Sequence, residues 1–178
     1  QLLGAGGIVN VSGAVMRVDL TWSRTDLDSV WSAVASLSYS WTWGSKNVSG
    51  VFEYYYNGFG QKNGDYSTSA LLQNPDLLKR IERGELFTLA RHYVAASATI
   101  ELTPLFILIP NVFVNIEDPS ALAQLVAQYS WKQNLMLLGA LNFPLGSDGT
   151  EYGGIEAPLD DMYFSSGPSL FAQLAWYF

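Results

Sequence analysis

The chain has 178 residues, of which 49% are hydrophobic and 14% aromatic, while only 14% are charged. Ordinary soluble domains carry about 25% charged residues, so this composition disfavours both a disordered chain and a well-solvated surface. The absence of cysteine excludes disulfides and thiolate metal sites, and the net charge of −7 argues against nucleic acid as a partner because phosphate binding needs clustered Lys and Arg.

Residues 1–13, QLLGAGGIVNVSG, are the least regular part of the chain. Val9 lies on an odd position, whereas the apolar residues that follow, beginning with Met16, lie on even ones. A bulge or bend near Ser12–Gly13 would bring the two sets onto one face of a strand. Alternatively, the segment is a stub outside the sheet or the remnant of a preceding strand.

From residue 14 onward, apolar residues recur at every second position, which predicts β-strands. The clearest example, SVWSAVASLSYSWTW, has no charge on either face. Eight segments show the pattern: 14–22, 29–43, 48–57, 88–102, 106–117, 121–131, 135–143 and 170–178. The sequence therefore predicts an all-β, antiparallel fold.

The ionisable residues of these segments indicate which solvent each face meets. Those on the polar face are Arg17, Asp19, Glu53, Arg91, Glu101 and Glu117, and only His92 falls on the apolar face, near a strand end. On the lipid face of a membrane barrel, an Arg or Lys at the bilayer midplane costs about 2–4 kcal/mol, so this separation is expected if the apolar face meets lipid. No apolar run reaches the roughly eighteen residues of a membrane-spanning helix, and a closed β-barrel is the remaining way to span a bilayer.

Aromatic residues of the apolar face sort to the two ends of the strands. Near one end lie Trp22, Trp31, Tyr54 and Tyr56, and near the other lie Trp41, Trp43, Trp131 and Trp176. Two aromatic girdles at the lipid–water interfaces are typical of transmembrane barrels. We interpret these residues as such girdles.

The connections between strands alternate in length. Short ones lie at 44–47, 103–104 and 132–134, and the alternate ones are long at 58–87 and 146–169 and short near 23–28 and 118–120. This asymmetry is typical of the short periplasmic turns and long extracellular loops of outer-membrane barrels. With an even number of strands, the chain is expected to begin and end on the periplasmic side.

Both long loops contain candidate features. In loop 58–87, Asn74 and Pro75 predict the start of a short helix and Gly84 its end. This helix would close over the rim or fold into the lumen as a gate or plug. Loop 146–169 is either a solvated acidic loop or a weak site for Ca²⁺ or for divalent ions bridging lipopolysaccharide phosphates, through Asp148, Glu151, Asp160 and Asp161.

The final residues, LFAQLAWYF, resemble the C-terminal signature of bacterial outer-membrane β-barrel proteins. The segment ends on aromatic Phe178, with Leu174 and Trp176 on the same apolar face. The resemblance implies that the barrel-assembly machinery reads this strand during insertion. It also implies residence in the outer membrane, among its lipids and lipopolysaccharide, and we expect no cofactor.

The sequence thus predicts one transmembrane β-barrel domain over residues 1–178, with residues 1–13 as a periplasmic stub or strand remnant. The function expected is porin-like passage of small solutes or ions through a narrow lumen. The alternatives are a structural or adhesive barrel with a packed lumen, and the C-terminal part of a larger barrel channel. In a larger barrel, an apolar inner wall that includes Phe113 and Phe171 is expected to pack on loop 58–87. A lipid-modifying enzyme is less well supported because the single histidine, His92, faces lipid.

Overall fold

The chain folds into one large antiparallel sheet with little helix. The structure, a computed structural model, describes residues 1–157, 162–165 and 167–178. Its elements are β1 (Leu2–Val11), β2 (Ala14–Arg24), β3 (Ser29–Trp43), β4 (Lys46–Tyr56), α1 (Thr68–Leu72), α2 (Pro75–Glu82), β5 (His92–Thr103), β6 (Phe106–Asn115), β7 (Ser120–Lys132), β8 (Leu135–Leu145), β9 (Ile155–Glu156), β10 (Tyr163–Phe164) and β11 (Ser169–Trp176). Strands β1 to β8 and β11 form a nine-stranded sheet in that order, and β9 pairs with β10 separately. The predicted all-β, antiparallel class is confirmed.

The large sheet has nine strands rather than the predicted eight because the first residues form a strand of their own. β1 pairs with β2 through a turn at Ser12 and Gly13, whose φ angles are +49° and +86°. Positive φ at both positions is the geometry of a type I′ hairpin. Across this turn odd positions pair with even ones, so Val9 lies opposite Met16 on one face. The change of parity marks a hairpin, and of the interpretations of this segment the structure supports a preceding strand rather than a bulge or a stub.

The odd strand count also changes the direction of the chain. The connections 12–13, 44–45, 104–105 and 133–134 lie at one end of the sheet, the short-turn end, and the connections 25–28, 57–91, 116–119 and 146–168 lie at the other, the long-loop end. β1 begins at the long-loop end and β11 finishes at the short-turn end. The expectation that the chain begins and ends on the same side is therefore wrong, and the two edge strands run in the same direction.

The register aligns the apolar residues of neighbouring strands into continuous rows. One row consists of Val9, Met16, Leu37, Phe52, Ala96, Val112, Ala123 and Phe143. Phe52, in its centre, is 51% exposed, and the other large side chains of the row are also exposed. The sheet therefore has a broad apolar face that the described parts of the chain leave largely uncovered.

Buried apolar side chains concentrate at the long-loop end. Among the described residues they are Val48, Phe59, Tyr66, Leu77, Ala90, Tyr93 and Ala157. All except Val48 belong to the two long loops or, in the case of Tyr93, to the start of β5. The core cluster of the described chain, Tyr66, Ala90 and Tyr93, thus joins the 57–91 connection to the start of β5. None of the helices described is long and apolar enough to cross a membrane.

Candidate functional site

The connection between β4 and β5, which we call the 57–91 loop, is closed at its base by main-chain hydrogen bonds. Asn57 N donates to Arg91 O over 2.7 Å, and Gln61 N donates to Leu89 O over 2.6 Å. Gly60 lies between these bonds, and a Cβ added to it would be 1.9 Å from a backbone carbonyl oxygen of the returning segment. Only glycine permits this close approach of the two chain segments.

The helix predicted in this loop is confirmed as α2. The Asn74 side chain caps it by accepting a hydrogen bond from Leu77 N, Pro75 occupies its first turn, and Gly84 follows its end with a φ of +69°. Leu77 is fully buried, so the helix is anchored through its apolar side. The shorter α1, which the sequence analysis did not predict, precedes it.

Around Tyr66, the 57–91 loop packs on the polar face of the sheet at the strand ends. Tyr66 is buried against Ala90 and Tyr93, and Tyr55 and Ile155 pack around them. Tyr55 and Tyr93 are neighbours in the register and lie on the same face as Asp19. The segment around Tyr66 is therefore held at the strand ends, on the polar side of the sheet, while closure of the helix over a rim or into a lumen stays a prediction.

A network of buried polar side chains, which we call the mouth network, ties both long loops to the sheet. Its centre is Asn115, which is 1% exposed and whose Nδ2 has three acceptors within hydrogen-bond distance: the Tyr66 hydroxyl (2.6 Å), Glu151 Oε2 (2.7 Å) and Asp118 Oδ2 (3.2 Å). The Tyr93 hydroxyl also donates to Glu151 Oε2, over 2.6 Å. One side chain at the end of β6 therefore connects the 57–91 loop with the segment around residue 151.

Further bonds complete the mouth network. Glu151 Oε1 accepts from Leu89 N (2.9 Å), and Glu151 N donates to Asp118 Oδ2 (2.9 Å). Asp118 also accepts a short hydrogen bond from the Ser120 hydroxyl. Among the residues that the structure describes, no buried side-chain nitrogen or oxygen lacks a partner. Such complete satisfaction is what makes a buried polar network stabilising, because each unpaired group would cost free energy.

Burial perturbs the ionisable groups of this network. Loss of solvent raises the pKa of the Glu151 carboxyl, although the hydrogen bonds from Tyr93, Leu89 and Asn115 act in the opposite direction. Desolvation likewise raises the pKa of the Tyr66 hydroxyl. Glu151 was expected in a solvated acidic loop or at a metal, but it serves instead as a half-buried acceptor for three donors.

The structure separates the residues predicted on the polar face into two groups. Within the strands, Arg17 Nε and Asp19 Oδ2 form an ion pair at 2.6 Å, and Glu101 accepts from Asn47 Nδ2 over 2.8 Å. Glu53 lies opposite Ser36 and Ala95. These residues do not meet at one site.

Arg91 and Glu117 are not strand residues, contrary to the prediction, since β5 begins at His92 and β6 ends at Asn115. Glu117 Oε2 accepts from Asn63 N over 3.2 Å, and its other carboxylate oxygen lies 3.7 Å from His92 Nε2. Arg91 belongs to the base of the 57–91 loop. Both residues therefore act at the long-loop end.

His92 lies at the strand end, as predicted, and its ring is engaged by aromatic neighbours. Nδ1 lies 2.6 Å from the Tyr54 hydroxyl, and the Tyr56 ring centroid is 5.1 Å from that of His92. These contacts hold the imidazole between two tyrosine side chains of β4.

The predicted girdle residues occupy strand ends. At the long-loop end Trp22 lies opposite Trp31. At the short-turn end the tryptophans are exposed: Trp41, Trp43, Trp131 and Trp176. Trp41 lies flat against Gly50 of the neighbouring strand, where a Cβ would be 3.0 Å from the indole ring. Leu174 is exposed on the edge strand, whereas Phe178 lies beyond the end of β11 and is fully exposed.

A row of amides across the polar face was not singled out from the sequence. Asn111 Nδ2 donates to Gln124 Oε1 (3.1 Å), Gln124 Nε2 donates to Asn142 Oδ1 (2.7 Å), and Asn142 Nδ2 donates to the Ser169 hydroxyl (3.0 Å). The row links β6, β7, β8 and β11 at one height. Its signal in the sequence is one polar residue at a polar-face position of each of four successive strands, and only the register of the sheet brings these residues into contact.

The weak metal candidates do not form a metal site in the described residues. No group of three or more His, Asp or Glu side chains there is placed to hold a metal ion. Asp160 and Asp161 lie outside the described residues, and Asp148 is exposed.

Comparison with known proteins gives no match among family models, curated proteins or solved structures.

Proposed function

We propose that the chain forms the wall of an outer-membrane β-barrel through which small solutes or ions pass. The observation that carries the proposal is the uncovered apolar face, continuous over nine strands, with the acidic strand residues Asp19, Glu53 and Glu101 all on the opposite face. Large exposed apolar patches mark membrane or protein contacts. Exposed tryptophans at both strand ends favour lipid, because Trp is enriched at the two membrane interfaces.

The edges of the sheet favour the version of this proposal in which the barrel is larger. The sheet is open, and its edge strands, LLGAGGIVNV and SLFAQLAW, carry no charge or proline that would protect an exposed edge in water. In lipid, open edges must be paired. Direct pairing of β1 with β11 would create a parallel seam, whereas an odd number of further strands between them keeps every neighbour antiparallel.

The inner surface supports passage more than a packed lumen. Phe113 and Phe171, which were expected to pack on the 57–91 loop, remain 40% and 49% exposed. The loop contacts the strand ends instead, through Tyr66. A barrel of about sixteen strands leaves an aqueous channel, whereas one of about eight is filled by side chains. A structural or adhesive barrel is the competing function.

Membrane topology is tested by labelling single cysteines in intact cells. We expect Asp65→Cys and Asp148→Cys, both at exposed loop positions, to react with an impermeant thiol reagent, while Ser45→Cys at the short-turn end is protected. Labelling of Ser45→Cys alone would indicate the opposite topology, with the short-turn end outside the cell. Labelling of all three sites in a water-soluble fraction would contradict a membrane wall altogether.

Passage is tested by recording from the purified protein in a planar bilayer. Stable conductance steps are expected if the strands enclose a lumen. Correctly inserted protein that never conducts would instead assign the chain to the structural or adhesive class. Cysteine pairs placed on β1 and β11 distinguish the two closures, since an efficient cross-link within one chain would contradict the presence of intervening strands.

A further inference from the structure

A polar cavity of about 530 Å³ lies at the long-loop end, between the base of the 57–91 loop and helix α1. Its lining includes Arg91, Lys62, Asp65, Gln61 and Asn74. Ligand sites in proteins have volumes of roughly 300–1,000 Å³, so a small molecule fits. The cavity is separate from the mouth network, with which it shares no lining side chain.

The guanidinium group of Arg91 is oriented in this cavity by one hydrogen bond, but its other donors have no partner among the described residues. Its Nε donates to Gly60 O over 3.0 Å, which orients the guanidinium group. Within the described part of the chain, its two Nη groups have no hydrogen-bond acceptor and no carboxylate within 4.0 Å. The Nη1–Nη2 edge is therefore free to take a planar anion by two parallel hydrogen bonds.

The remaining groups of the cavity suit an anion of low charge. Lys62 adds a second, exposed cation. Asp65 is the one carboxylate of the lining, and hydrogen bonds from Ser67 lower its pKa and keep it ionised. Asn74 caps α2 and also donates to Phe59 O and Gln61 Oε1, so this part of the wall is rigid. Two cations facing one carboxylate give the cavity a local positive charge in a chain whose net charge is −7.

We propose that this cavity binds a small carboxylate, with Arg91 as its bidentate partner and Lys62 as an exposed second cation. The inference rests on the proposed function, because it names small organic acids as the solutes selected at the mouth. Carboxylate and phosphate can both bind the free guanidinium edge through two oxygens, but a carboxylate is favoured because the cavity offers little further positive charge for a dianion.

Binding is measured on the full chain in detergent by ligand-observed NMR, with propionate as the probe and propionamide as its neutral isostere. We expect propionate to bind and propionamide not to bind. Arg91→Gln is expected to weaken propionate binding at least tenfold, and Lys62→Gln severalfold, with both effects reduced at high salt. Arg83→Gln, an exposed change in the same loop, serves as the matched control and should leave binding unchanged.

Three results would overturn the inference: equal binding of propionate and propionamide, tighter binding of inorganic phosphate than of propionate, or unchanged binding in both Arg91→Gln and Lys62→Gln. Lys62 is exposed, so its variant remains informative if Arg91→Gln does not fold. The NMR measurement detects binding without any transport of solute across a membrane. Binding without conductance would therefore refute the proposed function alone, and conductance without binding would refute only the carboxylate site.

Discussion

The docking of the 57–91 loop depends on Tyr66, and replacing this residue should release the loop without unfolding the sheet. Tyr66 is 1% exposed and is packed against Ala90 and Tyr93, while its hydroxyl accepts from Asn115 Nδ2 over 2.6 Å. Truncation of a buried aromatic side chain to alanine costs about 3–5 kcal/mol. Tyr66→Phe removes only the hydroxyl, and since Asn115 keeps two other acceptors, the cost is about 1 kcal/mol.

Hydrogen exchange measured by mass spectrometry reads this free energy directly as local opening. Since about 1.4 kcal/mol corresponds to a factor of ten, Tyr66→Ala should speed exchange in the 57–91 loop by roughly two to four orders of magnitude, and Tyr66→Phe by roughly fivefold. Phe87→Ala is the control, because Phe87 lies in the same loop and is 88% exposed. The reasoning is refuted if Tyr66→Ala changes exchange no more than this control, or if the acceleration spreads equally over the whole sheet.

Three further predictions concern pH, the loop base and assembly. Burial raises the pKa of Glu151 above its value in the unfolded chain. The contribution of Glu151 to loop docking is therefore complete at pH values below the unfolded pKa and is lost as the pH rises through the folded pKa. Hydrogen exchange of the loop, corrected for intrinsic rates, should show this pH dependence in the parent protein and in Glu156→Gln but not in Glu151→Gln. Gly60→Ala should loosen the loop base, visible as faster proteolysis of the loop, because the added Cβ would lie 1.9 Å from a backbone oxygen. Phe178→Asp should reduce the amount of folded, heat-modifiable protein far more than Phe171→Ala, and equal amounts would contradict the role of the terminal aromatic residue.

The strands were predictable because alternation with a period of two survives in any strand with different surroundings on its two faces. The first strand was only one of several interpretations of residues 1–13, for a physical reason. Gly4, Gly6 and Gly7 remove the side chains that carry the alternation, and the tight Ser12–Gly13 hairpin shifts the parity of what remains. Read as a possible type I′ turn, the Ser-Gly pair together with the parity change would have predicted both the hairpin and the ninth strand.

The long loops divide into a predictable part and an unpredictable one. Helix α2 was found because its capping signals, Asn74, Pro75 and Gly84, act within a few residues of one another. The mouth network was not found because its central bond joins Tyr66 to Asn115 across 49 positions of sequence. Asn115 lies at a polar position of the predicted segment 106–117 and Tyr66 lies in the loop, so they meet only because the loop docks beside the paired ends of β5 and β6.

The mouth network and the carboxylate cavity are coupled through the base of the 57–91 loop. Leu89 donates to Glu151 in the network and accepts from Gln61 at the wall of the cavity. Arg91 follows two residues later and is held by Gly60. Loss of the contacts of Glu151 or Tyr66 therefore removes hydrogen bonds and packing that hold the segment from Leu89 to Arg91, which fixes the guanidinium group. If solutes are selected in this cavity, the strength of that selection depends on polar contacts that no solute touches, because those contacts determine whether the Arg91 edge is presented in a fixed orientation.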